Sequence, residues 1–174
     1  MSRIELDEIE QFIESIEAVP NQIKLATFRA LNKIKRPLKN LAITELSKQS
    51  KVDVAYLQDR VKTRVFRNRN QGRPKLSLTV YVAKASIDKL GDVTKTGKGL
   101  ALGSLQFDGS FWAPLKHGSV KPVHRRDKTR LKIDKTVYGF ADYEQAVLDR
   151  CEQYYRNKFP VIFTTELRKI INSD

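Results

Sequence analysis

Few residues of this chain have the types and spacing that chemistry requires. Its two histidines, His117 and His124, are seven residues apart, and no Cys, Asp or Glu is spaced to complete a zinc site or a two-histidine-carboxylate site with them. Cys151 could act as a nucleophile beside either histidine, but it lies on an apolar helical stripe, where a thiol usually packs as an inert small hydrophobe. The sequence therefore predicts no catalytic residue, no metal site and no cofactor.

A glycine- and lysine-rich segment, residues 94–99 (Thr-Lys-Thr-Gly-Lys-Gly), could present backbone donors and positive charge to a phosphate. It lacks the Gly-x-x-x-x-Gly-Lys-Ser/Thr spacing, and no predicted strand-loop-helix unit surrounds it. Residues 91–103 have little to bury and are expected to form a mobile loop. A metal-dependent nuclease needs clustered carboxylates, whereas only eight acids are scattered over residues 18–141. These patterns favour a protein that is not an enzyme.

Charge is distributed unevenly along the chain. Residues 1–17 contain six acidic residues and one basic residue, whereas residues 18–141 contain 27 basic and eight acidic residues, a net charge of +19 against +13 for the whole chain. A positive field of this size favours polyanions and acidic protein surfaces. No apolar run approaches the roughly 20 residues that cross a bilayer, so no membrane partner is expected.

Two clusters, within residues 60–75 and 116–135, contain much of this charge. Aromatic residues lie close to each, Phe66 in the first and Phe111 and Trp112 before the second, and could stack on bases while the cations neutralise phosphates. Neither cluster matches a helix-turn-helix, RNA-recognition or zinc-finger pattern. Docking onto acidic partner surfaces is the preferred interpretation, with direct nucleic-acid binding and plain solvated charge as alternatives. The candidate contact residues, with two lysines from the glycine-rich segment, are Arg60, Arg64, Arg67, Arg69, Arg73, Lys95, Lys98, Lys116, Arg125, Arg126, Lys128 and Arg130.

The elements that must position these residues indicate an α+β fold. All eight glycines lie between Gly72 and Gly139. This distribution predicts helices in the N-terminal part of the chain and a turn-rich, sheet-forming central part. We expect N-terminal helices including one long helix, a central antiparallel β-sheet with hairpins, and C-terminal helices that pack on the sheet. The expected segments are an acidic N-terminal helix over residues 1–19 and a single domain over residues 20–174, with helices in 21–61, the sheet in 62–139 and helices in 142–172.

Several positions mark the expected ends of the helices. Ser2 and Glu5 have the spacing of a capping box at a helix start. A later apolar stripe continues beyond Pro37, which predicts one long helix that is kinked or broken there. Asp53 can cap a shorter helix, and Pro160 stands where a last helix could begin.

The strand signals are of different kinds. Alternation over residues 76–82 predicts a strand with one apolar and one polar face, whereas residues 64–69 are expected to be a loop or an edge strand. The Asp-Gly pair at 108–109 predicts a two-residue hairpin. A second turn is expected at 117–118, and residues 131–137 alternate as a final strand.

Three groups of short motifs follow one another through residues 18–172. The first group is Ala18-Val-Pro20, Ala30-Leu-Asn-Lys33 and Ser50-Lys-Val52. The second is Gly109-Ser-Phe111, Leu115-Lys-His-Gly118 and Arg130-Leu-Lys-Ile-Asp134. The third is Arg156-Asn-Lys-Phe-Pro160 and Leu167-Arg-Lys-Ile170. In this order the chain resembles the minor tail protein Z (tail completion) family of tailed bacteriophages, from which it departs at Lys132, where similar proteins often have proline, and in the acidic residues 1–17.

The resemblance implies a structural virion protein, made in the bacterial host cytoplasm, that completes the head-proximal end of the tail in the neck and makes it competent for head-tail joining. It implies a homo-oligomeric ring, hexameric to match a tail tube, in contact with tail terminator, tail tube and head-tail connector proteins. Genomic DNA in the lumen is a further candidate partner. The residues alone leave an alternative open, a small basic DNA-binding or DNA-packaging protein, which the charge of residues 18–141 would equally suit.

Overall fold

A computed structural model describes residues 2–5, 20–67, 74–115, 118–126 and 132–172. The architecture is α+β, as the sequence predicts, with a long N-terminal helix, antiparallel sheets with hairpins and a long C-terminal helix that packs against them. Within these ranges the α-helices are α1 (Pro20–Ser50) and α2 (Glu144–Ile171). The same ranges include three 3₁₀ helices, Val54–Arg60, Ile87–Lys89 and Ala141–Tyr143.

Eleven short strands lie within these described ranges and form four antiparallel sheets, in the orders β1-β3-β2, β5-β6-β7, β10-β9-β8 and β11-β4. The strands are β1 (Ser2–Glu5), β2 (Val61–Arg67), β3 (Pro74–Val80), β4 (Ala85–Ser86), β5 (Val93–Lys95), β6 (Gly99–Leu102), β7 (Leu105–Asp108), β8 (Ser110–Pro114), β9 (Val120–Arg125), β10 (Ile133–Lys135) and β11 (Val137–Tyr138).

The two long helices pack side by side in opposite directions. Lys33, in the first half of α1, pairs with Glu166 near the end of α2, with Nζ 2.6 Å from Oε1. The Tyr138 hydroxyl, just before α2, donates to the carbonyl of Ser50 at the end of α1. Apolar residues at helical spacing line the inner side of each helix and form one core with β2 and β3, which Ala85, Leu90 and Leu102 join. We call these two helices and the sheet β1-β3-β2 the helical body.

Both helices contain a proline in their interior. Pro37 does not break α1, and the prediction that a new helix begins at Pro160 is wrong, because α2 is continuous through it. The buried rings of Tyr155, Phe159 and Phe163 lie on either side of Pro160, with centroids 5.1 and 5.9 Å apart. Burying them at about 1.5 to 3 kcal/mol each outweighs the roughly 3 kcal/mol that a helical proline costs.

The N-terminal residues pair with the sheet instead of starting a helix. Ser2–Glu5 forms β1, antiparallel to β3, with Ser2 opposite Val80 and Glu5 opposite Ser77. The capping box predicted at Ser2 and Glu5 is therefore wrong. Pairing with the open edge of β3 satisfies backbone groups on both strands, which a first helical turn leaves unpaired. Residues 6–19, the rest of the predicted acidic helix, lie outside the described residues.

The segment between α1 and β3 was predicted in part. Asp53 caps the 3₁₀ helix Val54–Arg60 by accepting a hydrogen bond from the Ala55 amide. The chain is already extended at Val61, inside the predicted helical segment 21–61, and continues as the edge strand β2. β3 is the central strand, so Ser77 and Thr79 on its predicted polar face are also buried.

Residues 91–103 form a hairpin and not the mobile loop expected from their composition. β5 pairs with β6, and the two-residue turn between them is closed by Thr96 and Gly99, whose backbones exchange hydrogen bonds of 2.8 and 3.4 Å. Leu100 and Leu102 are buried, which explains why this segment is ordered: its apolar residues are concentrated in one short strand.

The Asp-Gly pair at 108–109 changes sheets and does not close a hairpin, so the predicted pairing is wrong. β7, before the turn, pairs with β6, whereas β8, after it, pairs with β9. Gly109 has the positive φ, +69°, that the Asp-Gly pattern indicates. The local conformation was thus predictable, but the strand partners depend on distant residues.

The remaining turn and strand predictions have mixed outcomes. The strands on either side of the turn predicted at 117–118, β8 and β9, are paired, and the Leu115 amide donates to the Ser119 carbonyl at 3.0 Å; His117 itself lies outside the described residues. The predicted final strand is two strands, β10 on β9 and β11 on β4. Buried Thr136 separates them and donates its amide to the Pro122 carbonyl. We call residues 85–138 the hairpin region.

Candidate partner-contact surface

The hairpin region brings two candidate contact residues, Lys98 and Arg125, close to the same residue, Gly109. The Gly109 amide donates to the Lys98 carbonyl at 2.9 Å. The next residue, Ser110, stands opposite His124 in the β8–β9 ladder, so Arg125 lies beside Gly109. Lys98 and Arg125, 27 residues apart in sequence, thus lie on either side of Gly109, and both are exposed.

Arg125 and its neighbour Arg126 have different surroundings. The Arg126 guanidinium makes two hydrogen bonds to the Asp134 carboxylate, at 2.7 and 2.8 Å. These bonds hold the pKa of Asp134 below its usual range and raise the pKa of Arg126. The Arg125 guanidinium lies 5.8 Å from the ring centroid of Phe111 and has no carboxylate partner in the described part of the chain. Arg125 is therefore the cation of this pair that a partner can still bind.

Arg60 is held inside the fold. Its guanidinium donates to the carbonyls of Tyr81, at 3.2 Å, and Ala83, and it lies 4.6 Å from the ring centroid of Phe140. Burial lowers its pKa. These contacts fix the end of the first 3₁₀ helix to the segment after β3, so a structural role explains Arg60 better than the predicted contact role.

The other candidate residues are exposed or lie outside the described residues. Arg64, on the edge strand β2, and Lys95 and Lys98, around the tip of the β5–β6 hairpin, are exposed. None of these three has an ion-pair partner within the ranges that the structure describes. Of Arg67 only the backbone is described, in β2. The candidates outside the described residues are Arg69, Arg73, Lys116, Lys128 and Arg130.

One face of the β8–β9 hairpin is apolar and partly exposed. Trp112 stands opposite Pro122, and Pro114 stands opposite Val120, so these four side chains share a face. Trp112 is 39% exposed and Val120 55% exposed. Side chains of this size and type, uncovered on a sheet, are what a protein partner would bury.

Two clefts lie in or beside the hairpin region, and neither assembles a reactive group. In one, of about 480 Å³, Ser110 stands opposite His124, and its hydroxyl accepts a hydrogen bond from that of Thr136 at 3.2 Å. No hydrogen bond joins Ser110 to His124 in the described residues, so the two do not form a nucleophile-base pair there. The other, of about 550 Å³, lies between the first 3₁₀ helix and the β5–β6 hairpin and includes Lys51 and Asp92.

The described residues offer little for a metal or a thiol reaction. Among them, no group of three or more His, Cys, Asp and Glu side chains is placed to hold a metal ion. Cys151 is buried in α2, as the sequence predicts. Burial raises the pKa of its thiol to about 12, so it is protonated near neutral pH and is a poor nucleophile.

A third basic surface, on α1, was missed from the sequence. Residues 20–44 contain six basic residues and no acidic residue. Arg29, Lys33 and Arg36 recur at the i, i+4 and i+7 positions of one helical face and are exposed. The signal was present, but it appears only when the bases are counted at helical spacing and not as a run along the chain.

Comparison of the chain with family models, curated proteins and solved structures gives no match. Among the helices that the structure describes, none combines the length and the apolar composition needed to cross a membrane.

Proposed function

We propose that this protein is a structural component of a tailed-phage virion, which completes the head-proximal end of the tail and makes it competent to join a filled head. The motifs spread over residues 18–172 motivate the proposal. The observation that supports it best is the exposed apolar face of the β8–β9 hairpin, which includes Trp112 and Val120, while the exposed cation Arg125 lies on the other face of the same two strands.

This combination suits docking onto a large protein assembly. Tryptophan and arginine are enriched at protein interfaces, where a few buried anchors contribute most of the binding energy. Arg125 lies about 10 Å along the strands from Trp112 and about 16 Å from Val120, and the alternation of side chains places it on the opposite face of the sheet. It therefore acts on a contact centred on Trp112 and Val120 only through its charge, which speeds the encounter with an acidic partner surface.

Assembly into a ring is part of the proposal. The acidic residues 1–17 and the basic residues 18–141 differ in charge, which favours a head-to-tail contact between copies. A contact of this kind closes into a ring when the rotation between copies fits. Six copies would match the symmetry of a tail tube, and tail terminator, tail tube and head-tail connector proteins would be the neighbours.

Electron microscopy of lysates from a phage that lacks the gene tests the proposal. Full-length tails and separate, filled heads are the expected result, because only the joining step is lost. Normal joined particles would overturn the proposal. Empty heads would also overturn it and would favour a role in DNA packaging.

A further inference from the structure

The two long helices present a basic surface that the tail-completion proposal does not use. Arg29, Lys33 and Arg36 span seven residues of α1, about 10 Å of helix, and all three are exposed. Lys158 and Lys169 are exposed on α2 and are 11 residues, or three turns, apart on one stripe. We call these five residues the basic helix face.

A shared carboxylate shows that the two sets lie on the same side of the helix pair. Glu166 Oε1 accepts hydrogen bonds from Lys33 Nζ at 2.6 Å and from Lys169 Nζ at 3.5 Å. The two lysines therefore meet over the seam between α1 and α2. Arg29 and Arg36 extend this surface along α1, and Lys158 extends it along α2.

The charge of this face is almost entirely positive. Glu166 is its acidic residue, and it is only 4% exposed. The hydrogen bond from Lys33 holds the pKa of Glu166 below its usual range, so it stays ionised and is compensated by the two lysines. Arg29 and Arg36 have no carboxylate partner in the described part of the chain, and α1 has no acidic residue before Glu45.

We propose that the basic helix face binds the phosphate backbone of double-stranded DNA. The central part of a protein-protein interface is depleted in charged residues, whereas protein-DNA interfaces are much more positive and half or more of their hydrogen bonds go to phosphate and sugar. Cations repeated along two neighbouring helices suit a polymer with repeated charges. This inference goes beyond the proposed tail function and does not depend on it.

Binding of the full chain to a fluorescent duplex of about 24 base pairs, measured by anisotropy from about 50 to 200 mM salt, tests the proposal. Each lost phosphate contact lowers the slope of log affinity against log salt by about 0.9. The double variant Arg29→Gln/Arg36→Gln should therefore lose about 1.8 from the slope and at least about tenfold in affinity at the lower salt. Lys33 is left in place because it compensates Glu166.

The matched control is Lys84→Gln/Lys135→Gln, which removes the same charge at two exposed positions outside the helices and should keep the wild-type slope. Equal losses in both variants would mean that only net charge matters, and an unchanged slope in Arg29→Gln/Arg36→Gln would exclude the face; either result overturns the proposal. If this variant instead changes the oligomeric state while DNA binding is normal, the face binds the acidic segment of a second copy and the proposal is wrong. Circular dichroism checks that both variants are folded, as exposed positions allow.

Discussion

The helical body and the hairpin region are held together in different ways. In the helical body, α1, α2 and the first sheet share one core, in which Phe159 and Phe163 are fully buried. In the hairpin region each strand has only two to six residues. Ala85, Leu90 and Leu102 join the main core, whereas Leu100 and Val123 are buried outside it. The same chain thus combines a region with a large core and a region of short paired strands with little core of its own.

This difference indicates that one region provides most of the folding free energy and the other provides the surface that contacts a partner. The helical body buries large apolar side chains, the main source of folding free energy. The hairpin region leaves Trp112 and Val120 exposed, together with cations that have no partner in the described residues. Segments with few buried contacts open most easily and are where binding elements are usually found. We infer that the helical body is the support and the hairpin region the part that docks.

The largest effect that separates the two regions is expected from truncating their buried side chains. Phe159→Ala removes a ring packed between Tyr155 and Phe163 and should lower the free energy of unfolding by about 3 to 5 kcal/mol. Val123→Ala removes two carbons from a thinner layer and should lower it by about 2 kcal/mol or less. Denaturant unfolding measures both losses. Val147→Ala, which removes the same two carbons from the core of the helical body, is the matched comparison: a loss no larger than that of Val123→Ala would mean that the two regions do not differ in packing.

A pair of glycines two residues apart sharpens the comparison within the hairpin region. A Cβ at Gly99 would collide with the Phe107 carbonyl oxygen and lie 3.0 Å from the Gly109 amide nitrogen, whereas a Cβ at Gly97 meets nothing within 4 Å. Gly99→Ala should cost about 2 to 3 kcal/mol, because backbone must move. Gly97→Ala should change stability by less than about 0.5 kcal/mol.

Hydrogen exchange shows which region of the molecule the Gly99→Ala substitution destabilises. Amides of the hairpin region should exchange faster in Gly99→Ala, while the amides of α1 and α2 keep their protection. Uniform loss of protection over both regions would contradict their separation.

A smaller effect is expected at the Lys33–Glu166 pair of the helical body. Lys33→Met should lower stability near pH 7 by about 1 kcal/mol, a modest figure because the Lys33 side chain is 54% exposed and Lys169 still reaches Glu166. The pKa of Glu166 is lowered in the folded state, so the stability it contributes is present above its ordinary value of 4.5 and is lost as the pH falls through the folded pKa. The difference between wild type and variant should therefore shrink below about pH 4.5, and a constant difference would exclude the pair as its cause.

The smallest effect on stability, with a large effect on assembly, is expected at the exposed apolar face. Trp112→Phe/Val120→Ser should change the free energy of unfolding by less than about 1 kcal/mol, because phenylalanine keeps an apolar ring over the covered part of position 112, which is 39% exposed. It should lower the yield of joined particles at least about tenfold, since anchors of this kind contribute 2 kcal/mol or more to binding. Val161→Ser is the matched control, because Val161 is 65% exposed on α2 of the helical body and its loss should leave joining normal. Equal yields from the two variants would remove Trp112 and Val120 from the contact.

Much of the fold could be predicted from local patterns, and the errors have a common origin. Helical periodicity located α1 and most of α2, and alternation located β3. Pro160 was taken as a helix start because proline favours the first position of a helix. Burial of the aromatic residues on both sides of it favours one continuous helix more strongly. The positive φ at Gly109 follows from local chemistry, whereas the pairing of β7 with β6 depends on residues that the turn does not contain.

The candidate site was predictable in its charge but not in its geometry. Which cations already have partners is decided by tertiary contacts, such as those of Arg60 with Tyr81 and of Arg126 with Asp134. The exposure of Trp112 depends on which face of β8 the core covers. The bases of α1 were overlooked because they form a surface only when a helix aligns them.

Hydrogen exchange of the full chain, alone and after mixing with tails purified from a phage lacking the gene, tests most directly whether the hairpin region docks while the helical body supports it. We expect new protection in β8 and β9, around Trp112 and Val120, and none in α1 or α2. New protection confined to α1 and α2, or no new protection anywhere, would contradict this division of roles.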